Sequence, residues 1–397
     1  ESDDELEMRT ETGEIITMNK TNAKIADKYD EFSKAVLDGL QLAYKVTANS
    51  LYGSVGAKTS SIYMKELAAS TTATGRDLIL KAKEFMEVNY DAEVIYGDTD
   101  SIFVDFKIKE KYGLTDKKET LQKSIDVSVE ASSKFKKTLK APHDLEYEKT
   151  FYPFIILSKK KYVGNLYEFD VNKFKQKSMG IVLKRRDNAN IVKQIYGGII
   201  DIILKGDSLQ SAVKFLYSSL RRLIEGGYPM NELVITKTLR SKYANPTRIA
   251  HKVLADRMRE RDPGSAPEIN ERIPYVYIEH DEKNKSLLQG DKIEHPTYIT
   301  QNKIKINYPF YITNQLSNPI SQLLALNIHE LPKSKTKTYY TNKYAKLAST
   351  MSEKKAMDKF NTIKQKDVHE LLFSPILTEL NNRRMGHQPL TAFFKPI

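Results

Sequence analysis

EVIYGDTDSIFVDF, running from Glu93 to Phe106, sets two apolar segments on either side of a short polar turn. That pattern predicts a strand, a tight connection and a second strand, with Asp98 and Asp100 at the tip. Two carboxylates one residue apart in a turn repel each other unless a cation offsets them. A hard divalent ion such as Mg²⁺ is the usual partner of such oxygens. The plainer alternative is a turn whose Asp side chains bond the local backbone.

Composition narrows the choices. The 397 residues suffice for two or three units with buried cores. Cysteine is absent, which excludes disulfides, thiolate zinc sites and cysteine nucleophiles. None of the seven histidines pairs with another at a metal-ligand spacing, so any metal must be held by oxygen. A formal net charge of +12 and a pI near 9.3 favour an anionic partner such as nucleic acid. No apolar run approaches the roughly 20 residues needed to cross a bilayer. The acidic opening ESDDELE is unlike a signal peptide, so an intracellular, soluble protein is expected. The chain opens at Glu1 without methionine, which suggests a fragment.

Along the chain, residues 1–30 read as a polar loop or partial helix. DEFSKAVLDGLQLAYKVTANSLYGSVG keeps Phe32, Val36, Leu40, Ala43 and Val46 at helical spacing and ends at Gly53 and Gly56. A second helix is expected over YMKELAASTTATGRDLILKAKEFMEV, and another over roughly 114–138. DLEYEKTFYPFIILSKKKYVGNLYEF, rich in β-branched and aromatic residues, reads as strands around a lysine corner. SMGIVLKRRDNANIVKQIYGGIIDIIL passes from strand to helix. The remainder to Leu326 is helical with a strand near IPYVYIE, and a lysine-rich tether follows from 329.

In KVTANSLYG, Asn49 lies about 40° around a helix from Lys45 and Tyr52 about 20° to the other side. A cation, an amide and a phenol therefore share one face, which suits a phosphate, a base edge and a groove contact. Gly53, lacking a Cβ, would admit a base pair closely. An ordinary solvated face is the alternative, and lysine runs such as SKKKY at 158–162 usually just keep a surface hydrated.

Taken together, KVTANSLYG, YGDTDS and SKKKY resemble the second and third polymerase motifs and the lysine-tyrosine motif of family B DNA polymerases. DEFSKAVLDGLQLA, LEYEKTFYPF, KSMGIVLKRRDNA and YPFYITNQLSNPI extend the resemblance over about 28–326. The family implies an α+β fold: a partial palm, an antiparallel sheet with helices, joined by the second fingers helix and an α-rich thumb. On this sequence that gives a polar segment and partial fingers at 1–30, the fingers helix at 31–57, palm at 58–187, thumb at 188–326 and a basic tail at 327–397.

The resemblance also implies roles. Asp100 would be the principal metal ligand, with Asp98 beside it. Lys45 would hold the triphosphate of the incoming deoxynucleotide, with Asn49, Tyr52 and Gly53 against the nascent base pair. Lys159, Lys160, Lys161 and Tyr162 would grip the primer end, and Lys184, Arg185 and Arg186 would contact backbone phosphates of the primer-template DNA. At the C-terminus, Leu390, Phe393 and Phe394 in HQPLTAFFKPI repeat the anchors of a sliding-clamp-binding peptide, with His387 where that motif prefers glutamine. No cysteine-rich C-terminal module is present, which fits a viral member acting in the nucleus or at a viral replication site.

Nucleotide addition uses two Mg²⁺ ions about 3.5–4 Å apart, more than one hairpin can enclose. The family supplies a further Asp in a D-x-x-S-L-Y-P-S strand, and this sequence has none. The chain is therefore expected to be inactive alone, as a truncated or split polymerase; a non-catalytic DNA-binding fragment is the alternative. Glu146 and Glu148 could add a carboxylate, although such residues more often pair with neighbouring lysines.

Overall fold

The computed structural model describes residues 5–9, 15–19, 30–184, 187–280 and 288–384. Near the N-terminus β1 (Glu5–Arg9) and β2 (Ile15–Asn19) pair antiparallel, with Glu5 opposite Asn19. This hairpin replaces the expected loop or partial helix. Polar and apolar residues alternate with period two in ELEMR, which suits a strand better than a helix.

Two 26-residue helices follow. α1 (Glu31–Gly56) starts at Asp30, whose carboxylate accepts the Ser33 N–H at 2.6 Å. That bond holds the Asp30 carboxyl below its usual range. α1 has apolar residues at helical spacing, yet none of its residues is buried, and Phe32 is 78% exposed. The Met64 N–H, bonded to the Val55 carbonyl, turns the chain back into α2 (Lys65–Tyr90). α2 buries Ala82 and Met86 in its last turns.

Those turns join a small core with the hairpin β3 (Glu93–Asp98) and β4 (Ser101–Asp105), the short α3 (Ile108–Tyr112) and α4 (Lys117–Lys136). Phe106, Ile108, Val127, Ala131 and Phe135 fill it. An antiparallel sheet of β5 (Thr150–Ser158), β6 (Lys161–Tyr167) and β7 (Lys175–Met179) follows, in that order across the sheet.

The larger core is mainly helical. α5 (Asn190–Lys205) buries Ile191, Ile195 and Ile199 at intervals of four residues, against Val213, Leu216 and Leu220 of α6 (Leu209–Ile224). Each such fully buried side chain is worth about 1.5–3 kcal/mol. The short α7 (Met230–Leu233) leads into β8 (Ile235–Thr238), and α8 (Ala250–Arg261) precedes β9 (Arg272–Tyr277) and β10 (Ile293–Glu294). β9 is the middle strand of this second sheet, between β10 and β8. Only β9 is legible in sequence, because β8 has four residues and β10 two.

α9 (Pro296–Asn302) and α10 (Tyr308–Phe310) pack against β9, and α11 (Ser317–Leu324) joins the same core. The buried Tyr311 hydroxyl donates to the Leu233 carbonyl at 2.8 Å, joining α7 to the π-helical segment Tyr311–Leu316 between α10 and α11.

The lysine-rich segment is not a tether over its described part. α12 (Lys337–Ala348), α13 (Glu353–Leu372) and α14 (Ser374–Arg384) pack onto the same core through Tyr340, Val368, Leu372, Phe373 and Ile376. Four of these anchors are bunched in VHELLFSPI (368–376), the apolar stretch within the lysine-rich segment, which leaves Tyr340 as the one of the five on α12. The architecture is thus α+β, with helices and small antiparallel sheets. Among the described residues no helix is long and apolar enough to cross a membrane.

Candidate active site

In β3 the two-residue repeat puts Val94, Tyr96 and Asp98 on the half-buried face. The register sets Tyr96 opposite Phe103 and Asp98 opposite Ser101, leaving Thr99 and Asp100 as the connection. This tip is tight: the Asp100 N–H donates to the Asp98 carbonyl at 2.7 Å, and Thr99 takes a left-handed φ of 59°. A β-branched residue rarely adopts that conformation, which costs about 1–3 kcal/mol. The Thr99 hydroxyl bonds the Asp98 carboxylate at 3.2 Å, and the Ser101 hydroxyl donates to the Asp98 carbonyl.

The lysine corner meets this hairpin directly. Ser158 pairs with Lys161, so Lys159 and Lys160 form a two-residue turn, with Lys160 at a φ of 61°. The Lys160 N–H donates to the Tyr96 hydroxyl at 2.9 Å, and its ammonium lies 3.3 Å from the Asp98 carboxylate. The Lys160 side chain is 70% exposed, so solvent screens the ion pair and its own worth is below about 1 kcal/mol. Gly180, at the end of β7, closes the corner from behind: a Cβ there would fall 2.0 Å from the Lys160 carbonyl oxygen.

Beneath the corner, Phe103, Phe151, Phe154 and Tyr162 form an aromatic cluster, with ring centroids 5.4 Å apart for Phe103 and Tyr162. Tyr162 is 9% exposed. Burial first, then the neighbouring acidic groups Tyr96, Glu148 and Asp98, push its hydroxyl above the usual tyrosine range. Its ring is packed within this cluster, at the start of the strand that follows the lysine corner.

Asp100 lies on the other side of the tip, on a cleft of about 930 Å³ between β4, β5 and α4. Ile95, Phe154, Glu146 and Glu148 also line it. Among the described residues β4 pairs only with β3, and β5 only with β6, so each presents an open edge there. Among the described residues no three His, Asp or Glu side chains gather closely enough to hold a metal. Glu148 pairs with Lys149, the plainer of its two expected fates. Asp98 and Asp100 carry hard carboxylate oxygens of the kind a divalent cation takes.

On α1, Lys45 and Asn49 point into solvent with no hydrogen bond or ion pair among the described contacts, while the Tyr52 hydroxyl meets that of Thr72 on α2 at 2.9 Å. A Cβ on Gly53 would meet nothing within 4 Å. Nothing inside the described fold therefore requires glycine there, although glycine costs a helix about 0.5–1 kcal/mol relative to alanine. Arg185, Arg186, Leu390, Phe393 and Phe394 lie outside the described residues, and of Lys184 only the backbone is described.

Sequence reasoning missed Tyr96 and Gly180. Both sit inside quoted motifs, YGDTDS and KSMGIV, but their part is to join two segments that are far apart in sequence. Only the fold brings these together.

The model for "DNA polymerase family B" matches residues 15–327. The chain is 65% identical, over 99% of its length, to a DNA polymerase of Pyramimonas orientalis virus, of which it covers 33%. It is 51% identical over 59% of its length to a DNA polymerase of Acanthamoeba polyphaga mimivirus, covering 14% of that protein. It is also 34% identical over 86% of its length to the DNA polymerase delta catalytic subunit of Candida albicans, covering 32% of it. The chain thus spans a third or less of the length of these relatives. With a family match over most of its length and the motif geometry described above, the chain belongs to DNA polymerase family B and resembles the members from large DNA viruses.

Proposed function

We propose that this chain is the part of a DNA-directed DNA polymerase that carries one carboxylate hairpin, the primer grip and one nucleotide-binding helix, for template-directed addition of deoxynucleotides to a primer 3′ end. The observation that carries the reading is the junction of two distant motifs: Lys160 bonds Tyr96 and pairs with Asp98 at the rim of the cleft that holds Asp100.

Asp98 and Asp100 would hold Mg²⁺ together with an oxygen donor from the rest of the polymerase. Divalent ions bound there would acidify the primer hydroxyl and neutralise charge on the departing pyrophosphate. Lys45 offers a free ammonium to the triphosphate, and Asn49 and Tyr52, with the open space at Gly53, suit the edge of the new base pair. Lys159, Lys160 and Lys161 bind primer phosphates on the corner that precedes Tyr162. Lys184, Arg185 and Arg186 extend the phosphate contacts, and Leu390, Phe393 and Phe394 dock on a sliding clamp. The division into fingers, palm and thumb, and action at an intracellular replication site, belong to the same reading.

The exposed apolar surface of α1 and, among the described residues, the open edges of β4 and β5 support a chain that binds DNA but needs the rest of the polymerase for catalysis. The test is Asp100→Asn in a complete polymerase containing this chain. Extension should fall by orders of magnitude with primer-template binding nearly kept, and Asp98→Asn, whose carboxylate already has Lys160, should cost less. Near-normal extension by the Asp100→Asn enzyme would reduce the hairpin to a turn.

A further inference from the structure

The lysine-rich segment folds as α12 and α13, beyond the residues matched by the family model, and its charge has no use in the site above. From Leu331 to Leu372 there are ten lysines against four acidic residues. On α13, Lys355, Lys359, Thr362 and Lys366 recur at steps of four, three and four residues, within an arc of about 60°. All four are exposed, and the buried residues Ala356, Val368 and Leu372 lie roughly 90–150° around the helix from the centre of the row.

The row extends about 16 Å along the helix. Lys355 and Lys359, at i and i+4, repel each other, and neither has an ion-pair partner among the described contacts. Lys366 has only an exposed contact with Glu370 at 3.8 Å. A rigid row of cations with little local neutralisation suits a linear polyanion. Duplex DNA carries one negative charge per about 1.7 Å of axis, so a row of this length faces several phosphates.

We infer that the outer face of α13 is a phosphate-binding surface for duplex DNA, contacting the backbone without reading sequence. This rests on the polymerase reading of the chain. The competing account is a solvated face that only aids solubility, which predicts no effect on DNA binding.

The 397-residue protein and the variant Lys355→Gln/Lys359→Gln/Lys366→Gln are titrated with fluorescently labelled primer-template duplex over about 50–200 mM salt, with thermal melts confirming that both are folded. Each lost phosphate contact should flatten the log-log salt slope by about 0.9, so the variant should lose about 2–3 in slope and bind about tenfold or more weakly at low salt. Lys193→Gln/Lys205→Gln/Lys214→Gln, on α5 and α6, removes the same charge elsewhere and should leave the slope unchanged. A parent-like slope in the α13 variant, or equal losses in both variants, overturns the surface while leaving DNA binding intact. Failure of the unaltered protein to bind duplex at low salt overturns the surface and the polymerase reading together.

Discussion

Individual residues divide the work at the tip of the hairpin. Asp98 is held by Lys160 and by the Thr99 hydroxyl, whereas Asp100 stands free at the cleft. The strained backbone at Thr99 fixes both, and this is the position where a sequence pattern alone shows two acids but not their different surroundings. Gly180 has a structural task that can be measured. Its φ of 62° and its approach to the Lys160 carbonyl leave no room for a methyl group. Gly180→Ala should therefore destabilise the protein by about 1–3 kcal/mol and displace the lysine corner. Chemical denaturation reads the first effect and loss of affinity for primer-template DNA the second; unchanged stability would mean that the corner yields easily.

Elements with a strong local pattern were legible in the sequence. The YGDTDS hairpin, α1, α2, α4, β5 and β6 form where periodicity and turn residues place them. The elements that were not legible depend on distant contacts: β8 and β10 exist because β9 lies between them, and α12 to α14 because their few apolar anchors reach the large core. The same dependence gives that unit a pH response. The loop after β8 is tied down where the Tyr243 hydroxyl meets His251 at 3.0 Å. Burial, then the nearby cations Lys237 and Arg240, lower the His251 pKa, and burial also lowers that of His295. The unfolded chain thus takes up protons first on acidification. Stability from these histidines is complete above the unfolded value of about 6.5 and is lost as pH falls below it. Between pH 7 and 5.5 the melting temperature should decrease, and by less in His251→Gln. An equal decrease in that variant would remove His251 as a cause.

At the scale of the whole molecule, the motifs point to the family, and the proposed site rests on where the fold brings them together. The Asp98 and Asp100 carboxylates, the lysine corner and α1 were all readable from residues 45–53, 96–101 and 158–162. The exposure of α1 and the shape of the cleft were not readable, because both depend on how distant segments pack. The relatives, about three times as long or longer, carry more chain than this one. The central claim is that this chain holds an incomplete active centre. Primer extension by the purified 397-residue protein tests it, run alone, with the rest of the polymerase added as a second chain, and with Asp100→Asn as control. The account predicts DNA binding without extension by the chain alone, and extension on addition of the second chain that Asp100→Asn abolishes. Robust extension by the chain alone, lost in Asp100→Asn, would contradict it and would mean that a carboxylate of the cleft, such as Glu146 or Glu148, completes the site.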